Sequence, residues 1–155
     1  MPLQATRYLY LARHGEAAPD ESGLSHSGRQ QAILLGRRRR ARPITALYHG
    51  PLPRALQTAR LVGEQLDGVS LTRSPAAGDA DRHELVVTHN FLVAWLVRLA
   101  LDAPAWRWLG LNVGHTALTV IRYAPGLPPS LLTFNDMSHL PPELRWTGFP
   151  PNWQV

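Results

Sequence analysis

The sequence predicts an α/β sandwich built on a largely parallel sheet, and three observations carry that expectation. Short apolar runs rich in β-branched and aromatic residues alternate along the chain with longer segments of helical spacing. Several of the runs end in a loop or helix start, as strand–helix–strand units do. The length of 155 residues, 45% of them apolar, suits one domain with a real core, so residues 1–155 are expected to form a single unit.

The elements follow in order. Residues 7–12 are an apolar run with aromatics and predict a buried strand. A loop with Gly15, Pro19 and Gly23 leads to Ser25 or Ser27, either of which can cap a helix over 27–41. Arginines fill the last turn of that helix, where cations complement the dipole, and Pro43 ends it. A strand is expected over 44–48, a helix over 54–66, a short strand over 69–72 and a loop over 73–82. The remainder predicts a strand over 84–88, an apolar helix over 90–101 and strands over 116–123 and 131–135. From Pro141 the chain is rich in proline and tryptophan and is expected to pack as an irregular cover.

Composition excludes several classes of chemistry. The absence of cysteine removes disulfides, thiolate nucleophiles and cysteine-ligated metals. No apolar run is long enough for a membrane span. The N-terminal apolar stretch is short, interrupted by arginine and without a charged leader, so it reads as a strand and not a signal peptide, and a cytoplasmic location is expected. A net charge of +5 and a pI near 10.7 suit an anionic partner, whether phosphate ester, nucleic acid or acidic lipid.

Three segments place histidine or arginine just after a predicted strand: Arg13-His14-Gly15-Glu16, His49-Gly50-Pro51-Leu52-Pro53-Arg54, and Thr88-His89-Asn90. In open α/β sheets, ligands sit beyond the carboxyl ends of the strands, so these segments can converge. Two arginines and two histidines in one pocket make an anion site, because guanidinium forks onto phosphate oxygens and helix N-termini add N–H donors. A histidine there can act as nucleophile, donor or proton carrier.

These residues resemble the histidine phosphatase, or phosphoglycerate mutase-like, superfamily. The similarity rests on Leu11–Glu16, on Leu24-Ser25 with Gly28 and Gln31-Ala32, on Pro51–Ala59, and on Val86–His89, and it covers about residues 7–123. A bare Arg-His-Gly triplet is a weak signal; four ordered matches in strand–loop–helix settings are a strong one. The resemblance implies a three-layer α/β/α fold and a metal-independent, cofactor-free phosphatase. Within it, His14 is the nucleophile that becomes phosphohistidine, and Arg13, Arg54 and His89 bind and stabilise the phosphoryl group. Gly15 and Glu16 complete the substrate-binding set, with Gly15 admitting close backbone approach and Glu16 expected to orient an arginine from behind. The implied partner is a phosphorylated small molecule or phosphoprotein, acted on by a monomer or homodimer with no metal, nucleic acid or membrane.

The chain departs from the family where a Glu or Asp general acid is usual, between Arg54 and His89. That span is short, and the candidates are Asp79, Asp81 and Glu84, with Glu84 expected at the wrong end of the sheet and all three more readily read as solvated loop or strand-edge charges than as the acid. A shortened cover also argues against a mutase, which must shield a phosphorylated intermediate from water. The segment 112–116 is expected near the site by resemblance, and 134–140 is similar to a segment of mitochondrial protein phosphatases of the family, with no role assigned. His49 can point into the pocket, and His26, His115 and His139 are further candidate pocket residues, but for each of these and for His83 a surface or packing role outweighs a catalytic one. Arg37–Arg40 reads as a solvated helix end, and Trp106, Trp108, Trp146 and Trp153 as packing residues. Two other functions stay open: a phosphate-binding module that has lost turnover with its acid loop, and a nucleic-acid-binding domain using the arginine run.

Overall fold

The computed structural model describes residues 5–69 and 80–155. Five strands form one sheet: β1 (Arg7–Arg13), β2 (Ala46–His49), β3 (Arg82–Thr88), β4 (Leu118–Tyr123) and β5 (Ser130–Asp136), in the order β2-β3-β1-β4-β5. The helices are α1 (His26–Arg39), α2 (Pro53–Gly63) and α3 (Asn90–Ala100). Residues 70–72 of the strand expected over 69–72, and 73–79 of the loop expected over 73–82, fall outside the described residues; Val69 is described and is not in a strand. Among the described residues no helix is long and apolar enough to cross a membrane.

Side-chain alternation along β1 decides the layers. Tyr10 and Ala12 face one core with Leu35 of α1 and Ala59 and Val62 of α2; Leu9 and Leu11 face the other with Val93 and Val97 of α3. Helices thus cover both faces, as the three-layer expectation required. Both cores contain fully buried aliphatic side chains, including Leu11, Leu35, Leu47, Leu85 and Ile121. At roughly 1.5–3 kcal/mol for each such side chain, burial is the main stabilising term.

The sheet is mixed. The β2–β3 and β3–β1 pairings are parallel, whereas β1–β4 and β4–β5 are antiparallel, so β4 alone runs against the other strands. This reversal brings the chain that enters β4 to the carboxyl end of β1, since Ala12 pairs with Leu118.

Ser25, not Ser27, caps α1, its hydroxyl accepting from the Gly28 N–H at 3.0 Å. The arginine run does not form a solvated end. Arg38 pairs with Asp136, and Arg39 is buried with its guanidinium 4.1 Å from the centroid of the Tyr10 ring. Only Arg37 and Arg40 are exposed, which reflects the helical period: successive residues 100° apart cannot share one face. The tail is an irregular cover with short 3₁₀ turns at Pro142–Leu144 and Pro151–Trp153. Trp146 packs edge-on against Phe149, and Trp108 against Phe91. Trp106 and Trp153 are more than half exposed, against the packing role expected of them.

Candidate active site

Parallel pairing sets Arg13 beside Thr88, so the residues that follow, His14 and His89, leave the sheet side by side. The His14 N–H donates to the Thr88 carbonyl at 2.8 Å, and the two imidazole centroids are 5.2 Å apart. His89 occupies the N-cap position of α3 and makes no side-chain cap bond. Arg54 is the second residue of α2, whose N-terminus also lacks a side-chain cap. Both helix starts therefore leave first-turn N–H groups without a side-chain acceptor.

The tautomer of His14 follows from its partner. Nδ1 lies 2.7 Å from the Gly15 carbonyl oxygen, which can only accept, so Nδ1 carries the proton and Nε2 holds the lone pair. Burial, opposed by that hydrogen bond and reinforced by Arg13, Arg54 and His89, lowers the His14 pKa to about 4. The ring is neutral near pH 7. His89 is lowered in the same direction by burial, Arg54 and Arg13.

The loop that positions His14 is fixed by close packing. The Gly15 N–H donates to the Thr58 hydroxyl at 2.9 Å, and that hydroxyl donates in turn to the Arg54 carbonyl at 2.7 Å. A Cβ on Gly15 would lie 2.5 Å from the Gly28 carbonyl oxygen, and one on Gly28 would lie 2.1 Å from that of Glu16. Only backbone fits between these segments, which accounts for both glycines. Glu16 does not orient an arginine: its carboxylate accepts from the Ser25 hydroxyl at 2.7 Å and so ties the loop to the start of α1.

Arg13 donates from Nη1 to the Val113 carbonyl at 3.0 Å, while the buried Nε atoms of Arg13 and Arg54 have no partner. Burial and the charge of Arg54 lower the Arg13 pKa. Among the described residues neither arginine forms an ion pair. Two guanidinium groups held together without a carboxylate are unfavourable until an anion joins them.

Of the three general-acid candidates, two lie at the opposite end of the sheet. Asp81 precedes β3 and accepts from the Thr6 N–H at 3.0 Å; Glu84 is buried and paired with Arg7. β3 places seven residues between Asp81 and His89, so neither carboxylate reaches the pocket. Asp79 lies outside the described residues. Among the described residues no carboxylate contributes to the perturbation of His14 or His89.

His115, a candidate pocket residue for which surface or packing is the weightier expectation, does border the pocket: it is buried, with its ring centroid 5.5 Å from that of His14. The antiparallel course of β4 puts it there. His49 bonds the Gly50 carbonyl at 2.8 Å and is half-buried, and His26 is exposed. His83 stacks on Tyr8, far from the pocket. His139 is bonded by Arg38 at 3.1 Å and approaches the Thr116 hydroxyl at 3.3 Å.

The family model for the histidine phosphatase superfamily (branch 1) matches residues 9–81. That match spans just under half of the chain, and over those residues the chain is similar to the histidine phosphatase superfamily. It is similar to the mitochondrial serine/threonine-protein phosphatase Pgam5 of Caenorhabditis elegans, 26% identical over 89% of this chain and 66% of that protein. The human PGAM5 is 22% identical over 90% of this chain and 66% of its own length. The chain thus spans just under two thirds of these curated relatives. In fold it matches a phosphoglycerate mutase from Plasmodium falciparum (TM-score 0.67, 23% identity, 88% of this chain and 95% of that one). It also matches Bacillus stearothermophilus YhfR (TM-score 0.67, 21% identity, 86% of this chain and 98% of that one).

Proposed function

We propose that this chain is a member of the histidine phosphatase superfamily and hydrolyses phosphate monoesters through a phosphohistidine on Nε2 of His14. The observation that carries the reading is the neutral His14, with its Nε2 lone pair left free by the Nδ1–H bond to Gly15, set beside two arginines that lack a carboxylate partner. The lone pair attacks phosphorus as the bond to the leaving oxygen breaks, and that oxygen takes up a proton. Water then attacks the phosphohistidine, releasing inorganic phosphate and restoring Nε2. Arg13, Arg54, His89 and the two helix starts neutralise the equatorial oxygens, so the positive charge is in place before charge develops.

The names of the curated relatives, serine/threonine-protein phosphatases, support a phosphoprotein as one substrate class, beside small phosphate esters. The nucleic-acid reading loses its basis, because Arg38 and Arg39 turn inward.

The test is hydrolysis of p-nitrophenyl phosphate across pH 5 to 8 with chelator present, for the wild-type chain and His14→Ala. Its aryl leaving group makes little demand on a general acid. Activity that survives chelator and disappears in the variant supports the proposal. A folded wild-type chain that binds vanadate but turns nothing over overturns it in favour of a phosphate-binding module.

A further inference from the structure

We infer that His115 is a third imidazole of the phosphoryl pocket, donating a hydrogen bond from Nε2 to a phosphoryl oxygen while the C-terminal tail clamps the ring through Thr147. This deepens the proposed phosphatase reading and rests on its pocket.

The ring is held from several directions. Its Nδ1 lies 2.8 Å from the Thr147 hydroxyl oxygen, which also accepts from Gln31 Nε2 at 2.8 Å. That oxygen already accepts from Gln31 and its hydroxyl proton can turn to Nδ1, an arrangement that puts the ring proton on Nε2. Gln31 is fully buried; it also donates to the Leu144 carbonyl at 2.9 Å and accepts from the Glu16 N–H at 2.9 Å. One amide therefore joins the loop after β1, helix α1 and the tail. Gly148 completes the clamp: a Cβ there would come within 2.8 Å of His115 Cε1.

The backbone beneath His115 is equally constrained. Thr116 adopts φ +54°, a left-handed conformation costly for a β-branched residue, and its N–H donates to the Arg13 carbonyl at 2.9 Å. Val113, two residues before His115, accepts from the Arg13 guanidinium at 3.0 Å. The same short segment thus anchors the phosphate-facing arginine and presents the ring.

Packing alone does not account for a polar ring at this position. Burial, Arg13, His14 and Arg54 all oppose a positive charge on it, and only a backbone hydrogen bond with Thr147 favours one. An aliphatic side chain would fill the space without the cost of burying a polar ring. A neutral N–H donor, in contrast, complements an anion and adds no repulsion before the anion arrives. Nε2 has no hydrogen-bond partner among the described residues.

The experiment uses inorganic phosphate as the probe. Calorimetric binding is measured for the wild-type chain, His115→Leu, and His115→Gln, whose amide can return an N–H donor. Turnover of p-nitrophenyl phosphate is followed alongside. We expect roughly tenfold weaker phosphate binding in His115→Leu, a difference of about 1.4 kcal/mol, with partial recovery in His115→Gln and a fall in kcat/KM of about 10- to 100-fold. A folded His115→Leu that binds phosphate within about twofold of wild type overturns the inference. The ¹⁵N resonances of His115 in the wild-type chain provide a readout that needs no variant: phosphate should move Nε2, and an unmoved Nε2 also overturns it. Weakened phosphate binding in His115→Leu by a wild-type chain without turnover would sustain this inference while sinking the phosphatase reading.

Discussion

Replacing Arg54 with methionine should make the protein more stable and less able to bind phosphate. The buried Nε of Arg54 has no hydrogen-bond partner, and an unsatisfied buried donor costs roughly 1–3 kcal/mol. Its charge also faces Arg13, and its place in the first turn of α2 opposes the helix dipole. Methionine keeps the apolar stem and removes all three penalties. The backbone carbonyl of Arg54, which accepts from the Thr58 hydroxyl, is untouched. A gain of about 1–2 kcal/mol is expected in phosphate-free buffer, or a rise in Tm of roughly 2–8 °C for a chain of this size. Phosphate at about 100 times its Kd should stabilise the wild-type chain by roughly 2.7 kcal/mol and the variant by far less. Thermal and urea unfolding with and without phosphate measure both effects. A variant that melts several degrees below wild type without phosphate, or that phosphate protects equally, would refute the claim that this arginine is held for an anion.

Three further outcomes follow from the site. Gly28→Ala forces a Cβ to 2.1 Å from the Glu16 carbonyl oxygen, so a loss of about 1–3 kcal/mol is expected in urea unfolding; an unchanged midpoint would show that the loop yields freely. Burial holds His14 and His139 near pKa 4 and His115 near 3, each below the ordinary 6.5. The unfolded chain therefore binds more protons than the folded one from pH 6.5 down to about 4, stability should fall with pH across that window, and His115→Gln should flatten the slope measured by urea titrations. With no described carboxylate perturbing His14 or His89, aryl phosphates and phosphoramidates should be turned over at least about 100-fold faster than simple alkyl phosphates; comparable kcat/KM values would point to an acid from the segment that contains Asp79.

Much of the fold was legible because its signals are local. The apolar run at 7–12 and the Ser25 cap depend on residues close in sequence, and the strand and helix they predict appear as β1 and α1. The parallel pairing of β1 with β3 could be expected from the alternation of strands and helices, and it sets His14 beside His89. Solvation of the arginine run could not be read in the same way. Its charges said nothing of Tyr10, whose ring comes from another strand and receives Arg39. Glu16 was similarly assigned to an arginine on chemical type alone, whereas the chain supplied the Ser25 hydroxyl first.

His115 shows why strand direction matters more than strand existence for reading a site. The rule that ligands gather at carboxyl ends selects residues that follow strands, and His115 precedes one. In a fully parallel sheet it would sit with Asp81 at the far end, remote from His14. Because β4 runs antiparallel to β1, the approach to β4 arrives where β1 departs, and Thr116 bonds back to Arg13. Neither apolar periodicity nor residue type reports that reversal, since the apolar pattern of β4 is the same in both directions. The pocket is therefore built from two kinds of connection. Strand ends supply His14 and His89 and a helix start supplies Arg54, while a strand beginning supplies the third imidazole and the carbonyl that holds Arg13. A charge placed by the first kind and a donor placed by the second can be altered separately, which is why Arg54→Met and His115→Leu should weaken phosphate binding through opposite changes at the site: one removes repulsion along with attraction, the other removes only a donor.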